Sequence, residues 1–143
     1  MSVAEFLEEL FGMKGQTAVV VGGAGELGAA LGMGLAKAGA HVVVADLTDE
    51  GCKKRVGEIE AAGGRATAVT VDITSRESLE SLAAVALEIS GKVDILVNCA
   101  GINAGNPFLE VDPDLWDKIM AINLKGMFES CQVFIAQMLK SGG

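Results

Sequence analysis

The stretch Thr17-Ala18-Val19-Val20-Val21-Gly22-Gly23-Ala24-Gly25-Glu26-Leu27-Gly28 decides how the rest of the chain is read. A run of small and branched apolar residues breaks into glycines and reopens with a helical pattern. Four glycines within Gly22 to Gly28 allow a tight turn and let a ligand approach the backbone closely. Amides at the start of the following helix lack intrahelical partners and carry the positive end of its dipole, which suits a phosphate. Glycine-rich turns also occur as plain connectors. Here a strand precedes the turn, a helix follows, and Asp46 stands 18 residues beyond Gly28, as a dinucleotide-binding turn requires.

The chain has 143 residues, half of them apolar, enough for one domain with its own core. A net charge of −8 argues against a nucleic-acid surface, which needs clustered Lys and Arg. Met1 to Gly12 carries Glu5, Glu8 and Glu9 and has no signal-peptide pattern, and no apolar run approaches the ~18 residues of a membrane span. We therefore expect a soluble, cytoplasmic protein without nucleic-acid or membrane partners. Cys52, Cys99 and Cys131 are widely spaced among apolar residues and read as buried reduced thiols rather than as metal ligands. His41, the sole histidine, opens an apolar strand and is a poor metal ligand.

Along the chain, Val3, Phe6, Leu7 and Leu10 predict a short amphipathic helix in an extension over residues 1–14, packed outside the sheet. Strand Thr17–Val21 leads into helix Glu26–Ala38, with Leu27, Leu31 and Leu35 as its apolar stripe and Gly28 and Gly32 one turn apart. His41–Ala45 is a second strand finishing in Asp46; Cys52, Val56 and Ile59 face inward from the next helix. Ala66–Val71 is a third strand ending in Asp72, followed by a helix whose Leu79, Leu82, Ala83, Ala86 and Leu87 repeat every 3.6 residues. Val93–Val97 is a fourth strand entering the turn Asn98-Cys99-Ala100-Gly101, and one long helical pattern runs from about Asp114 to Lys140. Alternating strands and helices predict an α/β, Rossmann-like, doubly wound parallel sheet in the order 3-2-1-4, with the ligand crevice where the order reverses.

Gly22, Gly25 and Gly28, then Asp72, then Asn98-Cys99-Ala100-Gly101, then Asn123 in Ile122-Asn123-Leu124, occur in that order. On these residues the chain resembles the N-terminal half or more of a short-chain dehydrogenase/reductase. The match covers nearly the whole length, and the glycine loop also resembles members acting on sugars, polyols or their acids. Val21 stands where that family has a loop threonine, Glu26 where the middle glycine is usual, and Cys99 where the turn has a second asparagine. The resemblance implies cofactor contacts from Gly22, Gly23, Ala24, Gly25, Glu26, Leu27, Gly28, Asp46, Leu47, Asp72, Ile73, Asn98, Ala100 and Gly101, and a catalytic Asn123 holding a water in a proton relay.

Each of these residues also has a plainer reading. Asp46 accepts both adenosine ribose hydroxyls and repels a 2′-phosphate, favouring NAD over NADP since no Arg follows closely, or it simply ends a strand. Asp72 contacts adenine with Ile73 against the ring, or ends a strand likewise. Asn98 touches ligand or ties neighbouring backbones together, and Asn123 serves the relay or caps a backbone carbonyl. Glu26 is expected to point away from the phosphates, since a carboxylate there repels them. No ligand set for a metal is present.

The same resemblance implies an oxidoreductase with an alcohol or carbonyl substrate, using a serine and a Tyr-x-x-x-Lys segment. The chain has no tyrosine; it is expected to end before a fifth strand, the one that would lead to the serine, so the Ser and the Tyr-x-x-x-Lys segment would lie beyond Gly143. We expect this chain alone to be inactive, either as the cofactor-binding portion of a longer enzyme or as a non-catalytic nucleotide-binding or assembly module. The apolar load from Trp116 to Leu139, including Phe128 and Phe134, exceeds one helical face and predicts a homo-oligomer through the helix 114–140.

Overall fold

The computed structural model describes residues 1–141; Gly142 and Gly143, the end of the expected 1–143 domain, lie outside the described residues. Four strands form one parallel sheet in the order β3-β2-β1-β4, the predicted Rossmann-like arrangement. They are β1 Thr17–Val21, β2 His41–Asp46, β3 Arg65–Thr70 and β4 Ile95–Asn98. The two central strands are apolar on both faces because helices cover both; every residue of β1, and Val42 to Ala45 of β2, is buried. β3 and β4, at the edges, are only half-buried. Their bounds differ from the expected ones because pairing sets them. β3 pairs with β2 from Arg65 opposite His41, and β4 pairs with β1 from Ile95 opposite Ala18.

The helices are α1 Val3–Phe11, α2 Glu26–Lys37, α3 Asp49–Ala61, α4 Arg76–Ser90, α5 Pro113–Met120 and α6 Met127–Lys140. One face of the sheet packs Val19, Val21 and Val43 against Leu79, Leu82 and Ala86 of α4 and Val133 and Phe134 of α6. The other packs Val20, Val42 and Val44 against Ala36 of α2 and Cys52 and Ile59 of α3. Burial of side chains this size contributes ~1.5–3 kcal/mol each.

Four expectations change. On α2 the buried residues are Gly28, Gly32 and Ala36, while Leu27 and Leu31 are exposed; the small residues face the sheet because the helix lies too close for leucines. α1 forms, with a Ser2–Glu5 capping box, but buries none of its residues and does not pack on the sheet. The long final pattern is three segments, α5 and α6 being separated by a π-helical turn, Ala121–Gly126, that contains Asn123. Phe134 is fully buried in the core, whereas Phe128 is 59% exposed, so only the second belongs to an outward apolar face.

Candidate functional site

The glycine loop is shaped by contacts that only glycine tolerates. Gly22 has φ +81°, and a Cβ there would run into the backbone of Cys99 and Ala100 on the neighbouring turn. A Cβ on Gly28 would overlap the Gly22 carbonyl oxygen. The Gly22 and Gly23 amides donate to the Ala45 carbonyl at 2.8 and 3.0 Å, fastening the loop to β2. Gly25 then caps α2 through its backbone only, so the first-turn amides have no side-chain acceptor.

Asp46, at the end of β2, faces this loop. Its Oδ2 accepts the Ala24 amide at 3.0 Å and its Oδ1 accepts the Leu47 amide at 2.8 Å. A carboxylate oxygen has two acceptor sites, so each retains capacity towards the crevice. Asp72 follows β3; its Oδ1 accepts the Thr74 hydroxyl at 2.6 Å and the Thr74 amide at 2.9 Å. Those bonds, the hydroxyl's first, hold its pKa below the ordinary carboxylate value.

Together these strand ends enclose a cavity of about 340 Å³ at the switch point between β1 and β4. Gly22, Ala24, Gly25, Asp46 and Leu47 line one side, and Asp72, Ile73, Ala100 and Gly101 the other. Val21, Val71, Cys99, Ile102 and Ile122 complete the wall. Of the expected contacts, Gly23, Glu26, Leu27, Gly28 and Asn98, with the catalytic candidate Asn123, are not in the lining. Gly23 and Gly28 shape the loop from behind: a Cβ on Gly23 would meet the Val20 carbonyl oxygen at 2.8 Å. Leu27 faces outward.

Asn98 is engaged by side chains of α6. Its Oδ1 accepts from the buried Ser130 hydroxyl at 2.8 Å and its Nδ2 donates to Cys131 Sγ at 3.4 Å, tying the end of β4 to α6. Asn123 clamps the loop: its Oδ1 accepts the Ile102 amide at 2.9 Å and its Nδ2 donates to the Ile102 carbonyl at 2.8 Å. Asn123 stands in the π-helical turn, and its side chain is engaged on both polar groups of one residue.

Sequence reasoning missed Arg55. Arg55 on α3 reaches back to the glycine loop, its Nε donating to the Ala24 carbonyl at 3.1 Å. Its Nη2 meets Glu26 Oε1 at 2.6 Å and its Nη1 meets Glu58 Oε2 at 3.0 Å. The Glu26 side chain in this pair is 95% exposed. No local pattern announces this contact, which joins residues 31 positions apart.

The cysteines differ from expectation in part: Cys52 is buried, Cys99 and Cys131 half-buried. Burial, with the Asp46 charge second, pushes the Cys52 thiol's pKa up, so it is inert. Among the described residues no group of three His, Cys, Asp or Glu could hold a metal, and no helix is long and apolar enough to cross a membrane. A larger hollow of about 770 Å³ lies between α1 and the loop after α2, lined by Leu7, Phe11, Lys14, Lys37 and Arg65 among others. It lacks the glycine loop and the strand-end carboxylates, so the smaller crevice is the candidate site.

The short chain dehydrogenase family profile matches residues 16–143. A 2,5-dichloro-2,5-cyclohexadiene-1,4-diol dehydrogenase, LinX, of Sphingobium indicum is 38% identical over 91% of this chain and 52% of its own length. D-threitol dehydrogenase of Mycolicibacterium smegmatis is 36% identical over 93% of this chain and 51% of its own. The crystal structure of a hydroxysteroid dehydrogenase from Escherichia coli superposes with a TM-score of 0.87 at 34% identity, covering 96% of this chain and 57% of that one. The chain spans about half the length of the curated relatives it matches. The profile spans most of the chain and the fold superposes on that of a named relative, and the chain belongs to the short chain dehydrogenases.

Proposed function

We propose that this chain is the NAD-binding portion of an oxidoreductase that exchanges hydride with an alcohol or carbonyl substrate. Members of the family bind a nicotinamide cofactor, NAD or NADP. The residues present fit its adenosine diphosphate half: the Gly22 to Gly28 loop leaves no Cβ in the way, and the first turn of α2 is uncapped. The chemistry such a cofactor supplies when bound is hydride transfer. The chain's part is to hold it: α2 amides at the pyrophosphate, Asp46 at the ribose hydroxyls, and Asp72 and Ile73 at the adenine.

The observation that carries the preference for NAD is Asp46, whose carboxylate lines the crevice while bonded to the Ala24 amide. A 2′-phosphate would meet that charge, and Arg55, the cation reaching this loop, is already engaged by Glu26, Glu58 and the Ala24 carbonyl. Calorimetry should show NADH binding more tightly than NADPH; equal affinities would refute the preference.

Two matching relatives are named for dehydrogenation of a diol and of a polyol, which supports a polyhydroxylated substrate in the whole protein. The three free cysteines suit a reducing cytoplasm. Because the chain has no tyrosine, its 143 residues alone should show no turnover with polyols or sugar acids. The exposed Trp116, Leu124, Phe128, Ile135 and Leu139 support self-association through residues 114–140. A stable monomer in light scattering at tens of micromolar would count against that association.

A further inference from the structure

A carboxylate in the first turn of α2 is an awkward neighbour for a phosphate site. Glu26 opens α2 immediately after the uncapped Gly25. A negative charge there interacts well with the helix dipole but competes with, and repels, any anion brought to the same amides. The structure answers this charge from another element. Arg55 on α3 is only 15% exposed in its side chain, and its fork makes three contacts: Nη2 to Glu26, Nη1 to Glu58, and Nε to the Ala24 carbonyl. Asp46 holds the amide of the same Ala24 at 3.0 Å. The loop residue is therefore gripped at its N–H by Asp46 and at its C=O by Arg55, and the guanidinium that grips it also pairs with the Glu26 carboxylate from α3.

We propose that Arg55 is a positioning residue for the phosphate-binding loop and the counter-charge that allows Glu26 to stand in the first turn of α2. Removing Arg55 leaves Glu26 as an uncompensated carboxylate in the first turn of α2. The fork matters because a lysine ammonium is a point charge and cannot meet the three acceptors in one planar arrangement. This inference rests on the crevice being a dinucleotide site, and the test separates the two.

The test is NADH binding at low ionic strength, measured by calorimetry on the whole chain, with adenosine as a ligand that lacks phosphate. Arg55→Met should weaken NADH by about fivefold, the size of a single charge against a pyrophosphate in a solvent-exposed setting. Adenosine binding should be unchanged. Glu26→Gln added to Arg55→Met should return NADH affinity to within about twofold of wild type, because the repelling charge is then gone. The gap between wild type and Arg55→Met should also shrink in 1 M salt, where the screening length is about 3 Å. Arg55→Lys, which keeps the cation without the fork, should fall between wild type and Met. If melting shows Arg55→Met unfolded, Arg55→Lys and its Glu26→Gln double carry the same comparison. Unchanged NADH affinity in Arg55→Met, or a double variant as weak as the single one, overturns this proposal alone. No NADH binding by the wild-type chain overturns both it and the dinucleotide reading.

Discussion

The two ends of the sheet use the same device for different purposes. At the end where β1 starts, Asp94 lends its Oδ2 to the Thr17 amide at 2.8 Å; at the end where β1 runs into its loop, Asp46 lends its Oδ2 to the Ala24 amide at 3.0 Å. Around Asp94 the remaining valences close on one another. Lys92 meets Oδ1 at 2.6 Å, the Thr17 hydroxyl pairs with Ser90 at 2.7 Å, and Ser90 donates to the Lys92 carbonyl at 3.1 Å. Burial acts to raise the Asp94 pKa, but Lys92 and the Thr17 amide outweigh it and the net value is lowered. Around Asp46 the valences stay open: its second oxygen takes only the Leu47 amide, and α2 has no side-chain cap. Residue type is therefore no guide to role here. A carboxylate whose partners are all internal holds the fold, and one facing unpaired amides across a crevice is available to a ligand.

The sharpest way to break this contrast is at glycine, where the open end leaves no room for a Cβ. Gly28→Ala would place a Cβ against the Gly22 carbonyl oxygen, and backbone must move to admit it. We expect a loss of about 3 kcal/mol in stability, as for overpacking a tight site, with dinucleotide binding abolished. Gly34→Ala, on the exposed side of the same helix with nothing within 4 Å, should instead stabilise by ~0.5–1 kcal/mol. Thermal melts of the two variants check both signs. Equal effects would mean the loop is softer than its contacts imply.

A matched pair of aspartate variants sharpens the comparison. Asp94→Ala leaves the fully buried Thr17 without its acceptor and should cost about 2 kcal/mol, with no effect on the preference between NADH and NADPH. Asp46→Ala frees amides that can turn to water and should cost less than ~1 kcal/mol, while the preference for NADH narrows by about tenfold. Urea denaturation and calorimetry on both variants decide it. Selectivity lost in the first, or kept in the second, would erase the distinction between the two ends.

What could be read from the sequence follows the range of the interactions involved. β1 and β2 were legible because continuous runs such as Val19-Val20-Val21 and Val42-Val43-Val44 are buried on both faces whatever surrounds them. The bounds of β3 and β4 were not, because edge strands begin where a neighbour lets them. The α2 stripe was misread for a related reason: apolar size predicts burial only when there is room, and Gly32 lies 3.5 Å, by its missing Cβ, from Val42. Asp46 and the glycine loop were visible as local pattern. Arg55 and the Asn123 clamp on Ile102 were not, since each depends on a partner brought close only by the fold.

The smallest expected effect tests the closed end by pH. His41 begins β2, with its Nε2 2.9 Å from the Thr67 hydroxyl. Burial first, and the Arg65 charge second, lower its pKa from the ordinary 6.5. In the unfolded chain it takes up a proton near pH 6.5 and in the folded chain only at lower pH, so between those values the unfolded state binds more protons. Stability from neutral His41 is thus present above about pH 6.5 and declines as the pH falls through that window. The group is partly solvated, so the expected decline in Tm between pH 7.5 and 5.5 is about 1–2 °C, a fraction of what a fully buried charge would give. Paired melts at the two pH values, on wild type and on His41→Gln, isolate this contribution, because glutamine can still meet Thr67 and does not titrate. A decline of the same size in both proteins would place the pH sensitivity elsewhere and leave His41 as a spectator at the mouth of the strand.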